Sequence, residues 1–358
     1  MTIKIPAADL KRIIKKLGAV SSGNTKIDFA TGNLQVLDND LGIQVFSSVF
    51  RTSDFHIFVN SKLLNSTVTK LTKDVVLACE AGGPLYVSSA KFKGQIPVVK
   101  EPSWASPADW SGDVLYNLPT NVLADVLGFT SSVTSDSATL DHTGSIRLSV
   151  NAELMEAAAT DNFRVALASG KREDGLGDKL TVLVPGRIAR VIRDLDGQEV
   201  MVSQTEPALF FESGGTTILS RKIAKKFPPI ENVLPKSFRL EVKVSAESLL
   251  DALHRIAPAI DPESTAPRVE MSFNGPSLKL KTGGSSTGQA EDEVEVEQMV
   301  PDAFDEPVTL VMAANHKFVS NFLTSVSESD IVLKANEGAK PFMMEAGNKR
   351  ILIAGLKL

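Results

Sequence analysis

The feature that most constrains how this chain can fold is a pattern that recurs three times along it. Each copy opens with a short alternation of apolar and polar residues, which is typical of a β-strand, and continues into an amphipathic helix. The copies begin at Ile3, Leu115 and Leu240. Aligning the residues that precede the helices brings one leucine of each helix into register. The aligned sets are Pro6, Pro119 and Ser245, and Leu10, Leu123 and Leu249.

A second strand and helix follow each copy, with Leu63, Ile188 and Phe318 in matching positions. After every helix come two or three further runs of strand character, separated by turn residues such as glycine and asparagine. The sequence therefore predicts an α+β protein built from six similar half-domains, two in each of three tandem domains.

The limits of these domains follow from the chain length and from clusters of residues that interrupt helices and strands. A chain of 358 residues is too long for one ordinary core, so two or three domains are expected. Breaks fall near Trp104–Gly112, where proline, serine and tryptophan cluster, and near Pro235–Phe238. The predicted domains are therefore 1–111, 112–237 and 238–358.

Composition indicates a soluble, cytoplasmic protein. Hydrophobic residues make up 43% and charged residues 23%, which is ordinary for a globular chain. No apolar run approaches the roughly 18 residues that a membrane span needs, and the N-terminus lacks the uninterrupted apolar stretch of a secretory signal. Cys79 is the only cysteine, so an intramolecular disulfide is excluded, and we interpret it as a small buried side chain.

The charge is segregated, although the net value is −5. Basic residues recur on the exposed faces of the predicted helices, where they could contact the phosphate backbone of duplex DNA without regard to sequence. The candidates are Lys11, Arg12, Lys15, Lys16, Lys62, Lys70, Lys73, Arg187, Arg190, Arg193, Arg255 and Lys317. The alternative is that each such face is simply solvated, and the helix predicted at 120–133 has no basic residue at all.

Acidic residues collect on strands instead. In Glu291–Glu297 they alternate with Val294 and Val296, which predicts a strand with one acidic face toward water. Aromatic residues are few, at 6%, and are not interleaved with the basic positions, so stacking on single-stranded nucleic acid is not indicated.

No pattern predicts catalysis, a metal site or a cofactor. The four histidines are widely separated, and the chain contains no HxxxH, CxxC, P-loop or GxGxxG motif. Asp161 precedes Arg164 in a segment that reads more naturally as structural than catalytic. The run Thr282–Gly288 is glycine-rich but lacks a following helix and lysine, so it predicts a hairpin loop rather than a phosphate cradle.

The chain resembles the bacterial DNA polymerase III β sliding clamp, including clamps of phages or plasmids, in pattern over essentially its whole length and most sharply in four segments that follow in the family's order. In the middle third, ATDNFRVA resembles the family's ATDGHRLA, and KFPPI through VLP resembles its FPDY…VLP linker. Later, GQAEDEV resembles a GEAEEE segment, and ILIAGLKL resembles a terminus of the type hydrophobic-MPMRL. The segments are Ala159–Ala166, Lys226–Pro235, Gly288–Val294 and Ile351–Leu358.

The resemblance implies a fold and an assembly. Three tandem clamp domains would form a head-to-tail homodimeric ring, with twelve helices lining a central hole and antiparallel sheets outside. It would encircle duplex DNA, tether a replicative polymerase and be opened by a clamp loader. The positions implied for the subunit interface are Phe92 and Ile96 on one side, and Ala259 and Ile260 on the other.

The resemblance also implies a pocket between the middle and last domains that captures a short motif of each partner. An apolar pocket with a few polar anchors suits that role. The residues carried over by position are Thr160, Asn162, Phe163, Arg164, Val165, Pro228, Val233, Phe318, Leu352, Ile353, Ala354 and Leu356. Asn162-Phe163 stands where the family has Gly-His, and Ala354 to Lys357 stands where it has Met-Pro-Met-Arg, so the preferred motif is expected to differ.

Other hypotheses stay open at this point. A clamp-like ring could serve one restricted partner or compete with a host clamp, and its altered pocket would then refuse the common clamp-binding peptides. An enzyme with an unrecognised site would lose turnover on substitution of Asp161 or His254. A purely structural β-rich protein would show no DNA association that depends on Lys15, Arg187 and Arg190.

Overall fold

The computed structural model describes residues 1–18, 20, 23–38, 41–101, 111–135, 142–172, 179–206, 208–261, 263–284, 288–299 and 309–358. Its contacts separate two compact units. The first compact unit comprises Met1–Gly128, Ser149–Glu153 and Lys171–Ala224, and the second comprises Phe129–Leu148, Leu154–Gly170 and Lys225–Leu358.

Six α-helices lie within the described ranges, one in each predicted half-domain. They are α1 (Ala7–Leu17), α2 (Ser61–Val68), α3 (Thr120–Ser131), α4 (Ile188–Arg193), α5 (Ala246–Ile256) and α6 (His316–Ser325). The residues aligned from sequence, Pro6, Pro119 and Ser245, each directly precede a helix. The three aligned leucines, Leu10, Leu123 and Leu249, are all buried, which confirms the register of the repeat.

The strands of the first predicted domain are β1 (Thr2–Ile5), β2 (Asn24–Asp28), β3 (Asn33–Leu37), β4 (Leu41–Phe46), β5 (His56–Asn60), β6 (Val75–Ala78), β7 (Leu85–Ser89), β8 (Phe92–Ile96) and β9 (Val98–Val99). Those of the second are β10 (Asp113–Pro119), β11 (Ser145–Val150), β12 (Leu154–Thr160), β13 (Arg164–Lys171), β14 (Leu180–Pro185), β15 (Glu199–Thr205), β16 (Ala208–Ser213) and β17 (Thr216–Arg221). Those of the third are β18 (Leu240–Ser245), β19 (Arg268–Asn274), β20 (Ser277–Gly284), β21 (Gly288–Glu295), β22 (Glu297–Met299), β23 (Leu310–Asn315), β24 (Asp330–Ala335), β25 (Phe342–Ala346) and β26 (Lys349–Ile353).

This element order repeats one motif six times: a strand, a helix and three further strands. Only the short strands β9 and β22 fall outside the motif in the described part of the chain. The predicted α+β class and the six half-domains are thereby confirmed. The limits 1–111, 112–237 and 238–358 remain a prediction, because the two compact units divide the chain differently.

Local chemistry explains where the helices begin. Asn60, Ser245 and Asn315 each end a strand or follow it directly, and each accepts a hydrogen bond from a backbone N–H in the first turn of its helix. Such caps satisfy donors that have no partner inside the helix. In α1, Asp9 in the first turn and Lys15 near the last also match the helix dipole.

The apolar face predicted for α1 is buried, as is the alternate apolar set of the acidic strand. Leu10, Ile13, Ile14 and Leu17 are all less than a tenth exposed. Val294 and Val296 are buried, while the acidic residues beside them face solvent, as the alternation predicted. Cys79 is buried too, and burial raises the pKa of its thiol.

Each compact unit contains one four-stranded sheet and a larger sheet. In the first, the four-stranded order is β1-β6-β7-β8, and the larger order is β10-β15-β16-β17-β4-β3-β2-β5-β9. In the second, the four-stranded order is β21-β20-β19-β23, and the larger sheet includes the run β12-β13-β26-β25-β24-β18-β22.

Two strand pairs join half-domains that are distant in sequence. In the first compact unit β17 pairs antiparallel with β4, with Ile218 opposite Ile43. In the second, β13 pairs antiparallel with β26, with Val165 opposite Leu352. All four strands are the last of their half-domains, so the joins follow one rule.

Candidate functional site

The sharpest of the four resembling segments forms the turn between β12 and β13. Asn162 lies in this turn with φ of 72°, a left-handed conformation that glycine and asparagine tolerate best. The family's glycine is therefore replaced by a residue that can keep the same backbone. The Asn162 Oδ1 lies 2.9 Å from Nε2 of His142, a neighbour that sequence reasoning missed.

Asp161 organises the turn. Its Oδ1 accepts hydrogen bonds from the backbone N–H groups of Phe163 (3.0 Å) and Arg164 (2.7 Å). Its Oδ2 accepts from the Arg164 guanidinium, through Nε at 2.9 Å and a terminal nitrogen at 2.8 Å. The Thr160 hydroxyl donates to the Arg164 carbonyl at 2.6 Å. These bonds give Asp161 a structural role.

Arg164 links the turn to α6. Its guanidinium lies over the Phe318 ring, with the carbon Cζ 4.1 Å from the ring centroid. The side chain is only 10% exposed, and one edge of the fork is already bound to Asp161. Arg164 therefore packs the turn against Phe318, and because its side chain is only 10% exposed, its remaining N–H donors are poorly accessible to a partner's carboxylate.

The C-terminal strand closes one side of the site. Val165 stands opposite Leu352 in the β13–β26 ladder. Beyond the strand, the backbone N–H of Ala354 donates to the Phe163 carbonyl at 2.9 Å, and that of Leu356 donates to the Ala313 carbonyl at 2.8 Å. The resembling segments at 159–166 and 351–358 are therefore brought together by backbone hydrogen bonds.

The linker segment 226–235 packs on the same strands. A buried apolar cluster joins β12, β13, β25 and β26 with the linker; it contains Ala158, Val165, Ile230, Met343 and Leu352, with Leu167, Phe227, Leu234 and Phe238 packed against it. Ile230 and Met343 were not among the predicted pocket residues. Met343 lies in the apolar run Phe342-Met343-Met344, which predicts a buried strand but does not indicate a place in this site.

Arg147 on β11 also holds this linker, and no sequence pattern pointed to it. Its guanidinium pairs with Glu231 at 2.9 Å and lies over the Phe227 ring at 5.3 Å. A hydrogen bond from the Glu231 backbone, and then the bond from Arg147, lower the pKa of the Glu231 carboxyl.

The predicted pocket residues divide by exposure. Phe163 is 64% exposed and Val233 is 53% exposed, so two large apolar side chains meet solvent here. Asn162 and Ala354 are also exposed, while Pro228, Phe318 and Leu356 are half-buried and Thr160, Arg164, Val165, Leu352 and Ile353 are buried. All of these residues lie in the second compact unit. Val165 and Leu352 belong to the buried apolar cluster, which we call the floor of the site, whereas Arg164 and Ile353, one residue along each strand, lie on the face toward Phe318. The exposed residues form what we call the rim.

The predicted DNA-facing residues differ in whether an acidic side chain neutralises them. Six have no ion pair with any residue that the structure describes: Lys11, Lys62, Lys70, Lys73, Arg193 and Lys317. Five are paired: Arg12 with Asp9 (3.6 Å), Lys15 with Asp194 (2.9 Å), Lys16 with Asp196 (2.8 Å), Arg187 with Asp38 (2.7 Å) and Arg255 with Asp292 (2.6 Å). Arg190 is exposed on α4.

Lys16 corrects the prediction that it lies on the exposed face of α1. Its side chain is 3% exposed, and its Nζ donates to Asp196 at 2.8 Å and to the Thr216 hydroxyl at 3.0 Å. Both partners lie far along the chain, so the helical pattern alone could not reveal them.

The predicted interface residues occupy two places. Phe92 is 42% exposed at the start of β8, whereas Ile96 at its end is buried. Ala259 is buried and Ile260 is half-buried, in a short 3₁₀ turn that contacts β20 and β21.

In the described ranges, no group of three or more histidine, cysteine, aspartate or glutamate side chains is arranged to hold a metal ion. The helices described here are also too short or too polar to cross a membrane.

Comparison with known proteins covers most of the chain. The family described as DNA polymerase III beta subunit, central domain, matches residues 117–229, and the corresponding C-terminal domain matches residues 231–352. A beta sliding clamp of Synechococcus elongatus is 25% identical over 324 residues, covering 87% of this chain and 83% of that protein. A beta sliding clamp of Synechocystis is 22% identical over 331 residues, covering 86% and 83%.

Solved structures share the fold. The DNA polymerase III beta subunit of Thermotoga maritima superposes with a TM-score of 0.87 at 16% identity, covering 100% of this chain and 99% of that one. A DNA polymerase sliding clamp of Bacillus subtilis gives 0.81 at 17% identity, with the same coverage. The pattern of half-domains, the four resembling segments and the two domain matches agree, and the chain belongs to the DNA polymerase III beta subunit family of sliding clamps.

Proposed function

We propose that two copies of this chain close head to tail into a ring around duplex DNA, and that the site on β13, β26 and the linker tethers polymerases and a clamp loader. The single observation that carries the ring is the rule by which sheets are joined. Final strands of half-domains pair with each other: β17 with β4, and β13 with β26.

Two final strands are left over by this rule. β8 and β21 each stand at the edge of a four-stranded sheet, with no further strand beyond them in the described residues. An uncovered edge offers a row of backbone donors and acceptors that favours pairing with another chain. Pairing β8 of one copy with β21 of the other, twice, would satisfy all four edges and close the assembly at two chains.

Side chains support this pairing. Lys93 is exposed on β8, next to exposed Phe92 and after exposed Lys91. On β21, Glu291, Glu293 and Glu295 are exposed, and Glu291 already pairs with Lys279 of the neighbouring strand at 3.0 Å. Opposite charges facing each other across a strand pair are favourable, while two copies of the same edge would place like charges together. The charges therefore favour the heterologous pairing over a symmetric one.

Contact with DNA would be weak and independent of base sequence. Among the described residues, the predicted cations without an ion pair lie mainly on α1 and α2 and just beyond, at Lys11, Lys62, Lys70 and Lys73, while several others are neutralised by aspartates. A few phosphate contacts suit a ring that must slide, because retention comes from topology rather than affinity.

The peptide role rests on the exposed Phe163 and Val233 above a buried apolar floor. Exposed apolar side chains grouped over such a floor mark a binding surface, and aromatic anchors dominate such interfaces. The proposal assigns the chain no reaction and no cofactor, and it places the protein in the cytoplasm with the replication machinery.

The proposal is tested on the purified full chain by light scattering and negative-stain electron microscopy. The expected result is a mass of two chains and ring-shaped particles with an open centre. A matched pair of variants sharpens it: Lys93→Glu is expected to weaken the dimer, and adding Glu293→Lys and Glu295→Lys, which leaves the Glu291–Lys279 ion pair intact, is expected to restore it. Compact monomers at concentrations where family clamps would be dimers, or no rescue by the second change, would contradict the edge pairing.

A second candidate is a clamp-like ring for one restricted partner, or one that competes with a host clamp. The observation that favours it is the exposed phenylalanine at 163, where the family has histidine. Titration with peptides that bind common bacterial clamps separates the two functions: ordinary affinity supports a general clamp, and refusal supports the restricted one.

A further inference from the structure

The linker that builds the peptide site carries positive charge that the fold leaves unmatched. Lys225, Lys226 and Lys236 are all exposed. None of them forms an ion pair with a residue in the described part of the chain. The whole chain is acidic, with net charge −5, so three such lysines within twelve residues make a local excess of positive charge.

These lysines flank residues that touch the floor of the site. Lys226 immediately precedes Phe227, which packs against the cluster of Val165 and Leu352. Lys236 lies two residues after Leu234, which packs against the same cluster. A lysine side chain reaches several ångströms from its backbone, so all three ammonium groups can approach an occupant of the site.

Three acidic residues of this unit already form ion pairs with arginines. Asp161 is bound to Arg164, Glu231 to Arg147 at 2.9 Å, and Glu337 to Arg239 at 2.9 Å. Glu156 is exposed on β12, but it lies four residues before the turn. The lysines therefore keep a net positive rim along the linker side.

Two further lysines, outside the linker, add to this positive charge. Lys340 and Lys357 are exposed, again without an ion pair among the described residues. The backbone of Lys340 lies close against Gly355, where an added Cβ would come within 2.5 Å of the Lys340 carbonyl oxygen. Gly355 follows Ala354, which is bonded to Phe163.

We propose that the site selects linear partner segments in which acidic residues flank an apolar anchor. This inference rests on the proposed peptide-binding function and adds the charge of the peptide to it. The anchor covers Phe163 and Val233, while the flanking carboxylates approach the linker lysines. Arg164 does not supply this selectivity, because its side chain is only 10% exposed, is already paired with Asp161 and lies over the Phe318 ring. Exposed pairs give modest affinity but clear discrimination against the wrong sign.

The test uses three labelled synthetic peptides with the same leucine and phenylalanine anchor, flanked by three glutamates, three serines or three lysines. Fluorescence anisotropy with the full chain measures each Kd at low and at high salt. The glutamate peptide is expected to bind about tenfold more tightly than the lysine peptide, since each exposed pair contributes about a factor of two. The difference is expected to shrink with salt.

The variant Lys225→Glu/Lys226→Glu/Lys236→Glu is expected to reverse the order of the charged peptides and to leave the serine peptide unchanged. Its matched control is Lys100→Glu/Lys171→Glu/Lys179→Glu, three exposed lysines without ion pairs to described residues, which gives the same change of net charge. The control is expected to retain the wild-type order, which separates a local effect from the overall charge.

The outcomes are distinguishable. If all three peptides bind equally, the peptide site stands and the charge selectivity is overturned. If none binds, both the proposed peptide site and its charge selectivity are wrong. If the linker variant instead weakens binding of a short duplex oligonucleotide and leaves the peptides unaffected, the lysines serve nucleic acid and the proposal is wrong.

Discussion

The guanidinium carbon of Arg164 lies 4.1 Å from the centre of the Phe318 ring, and the same guanidinium is bound by the Asp161 carboxylate. This stacked ion pair joins the β12–β13 turn to α6. It makes Arg164 part of the framework of the site, although the sequence placed it among residues that touch a partner.

Arg164→Lys is therefore expected to lower stability more than it alters recognition. Lysine keeps the charge but loses the two-pronged bond to Asp161 and the planar stack on Phe318. The free energy of unfolding is expected to fall by about 2 kcal/mol, since a largely buried pair is disrupted. Urea denaturation measures this. Unchanged stability with lost peptide binding would instead show that Arg164 faces the partner.

Phe163→Ala tests the rim of the site without disturbing its floor. Phe163 is 64% exposed, so its removal leaves no cavity, and the melting temperature is expected to stay the same. Peptide affinity is expected to fall about tenfold or more, as for an aromatic anchor. Tyr86→Ala, at an exposed aromatic in the first compact unit, is the control that should change neither quantity. By contrast, Leu352→Ala would confound binding with an expected core loss of about 2–5 kcal/mol.

Asp196→Asn and Asp194→Asn form a matched pair for the lysines of α1. Asp196 neutralises the buried Lys16, so Asp196→Asn leaves a buried charge without its partner and is expected to cost about 2–4 kcal/mol. Asp194 faces Lys15, which is 68% exposed, so Asp194→Asn is expected to cost less than about 1 kcal/mol. Equal losses in urea denaturation would mean that the burial of Lys16 is not what makes its pair important.

Lys62→Glu/Lys70→Glu/Lys73→Glu probes the DNA-facing proposal. The three side chains are exposed and without ion pairs to described residues. If they contact phosphates, the slope of log K against log salt for duplex binding is expected to fall by about 2–3, since each contact adds about 0.9. Peptide affinity is expected to stay unchanged. Loss of both would indicate that the substitutions unfold the first compact unit, and the triple variant at Lys100, Lys171 and Lys179 is the comparison.

The ion pair of Asp292 with Arg255 is expected to make the stability of the protein depend on pH. The hydrogen bond from Arg255, and then the one from the Glu293 backbone, lower the pKa of the Asp292 carboxyl. A lowered folded-state pKa contributes stability above the ordinary aspartate value of about 4, and that stability is lost as the pH falls through the folded-state pKa. The wild type is therefore expected to lose stability below about pH 4 more steeply than Asp292→Asn. Thermal melts across acidic pH compare the two proteins, and parallel curves would contradict the role of this pair.

Sequence alone determined the local elements. The recurrence of strand, helix and strands predicted six half-domains because apolar periodicity and capping residues act over a few neighbouring positions. Leu10, Leu123 and Leu249, which the sequence put in register, are all buried, and the alternation in Glu291–Glu297 correctly separated the exposed acidic residues from Val294 and Val296. The resemblance of four segments then indicated the family.

Only tertiary structure decided which side chains are free to act. Lys16 looked like its neighbours on the helix, yet it is buried against Asp196, 180 residues away in sequence. Arg164 looked like an anchor, yet a neighbouring carboxylate and the ring of Phe318 already hold it. Burial and ion pairing depend on contacts between distant segments, and those contacts follow from how β17 meets β4 and how β13 meets β26 rather than from any local pattern.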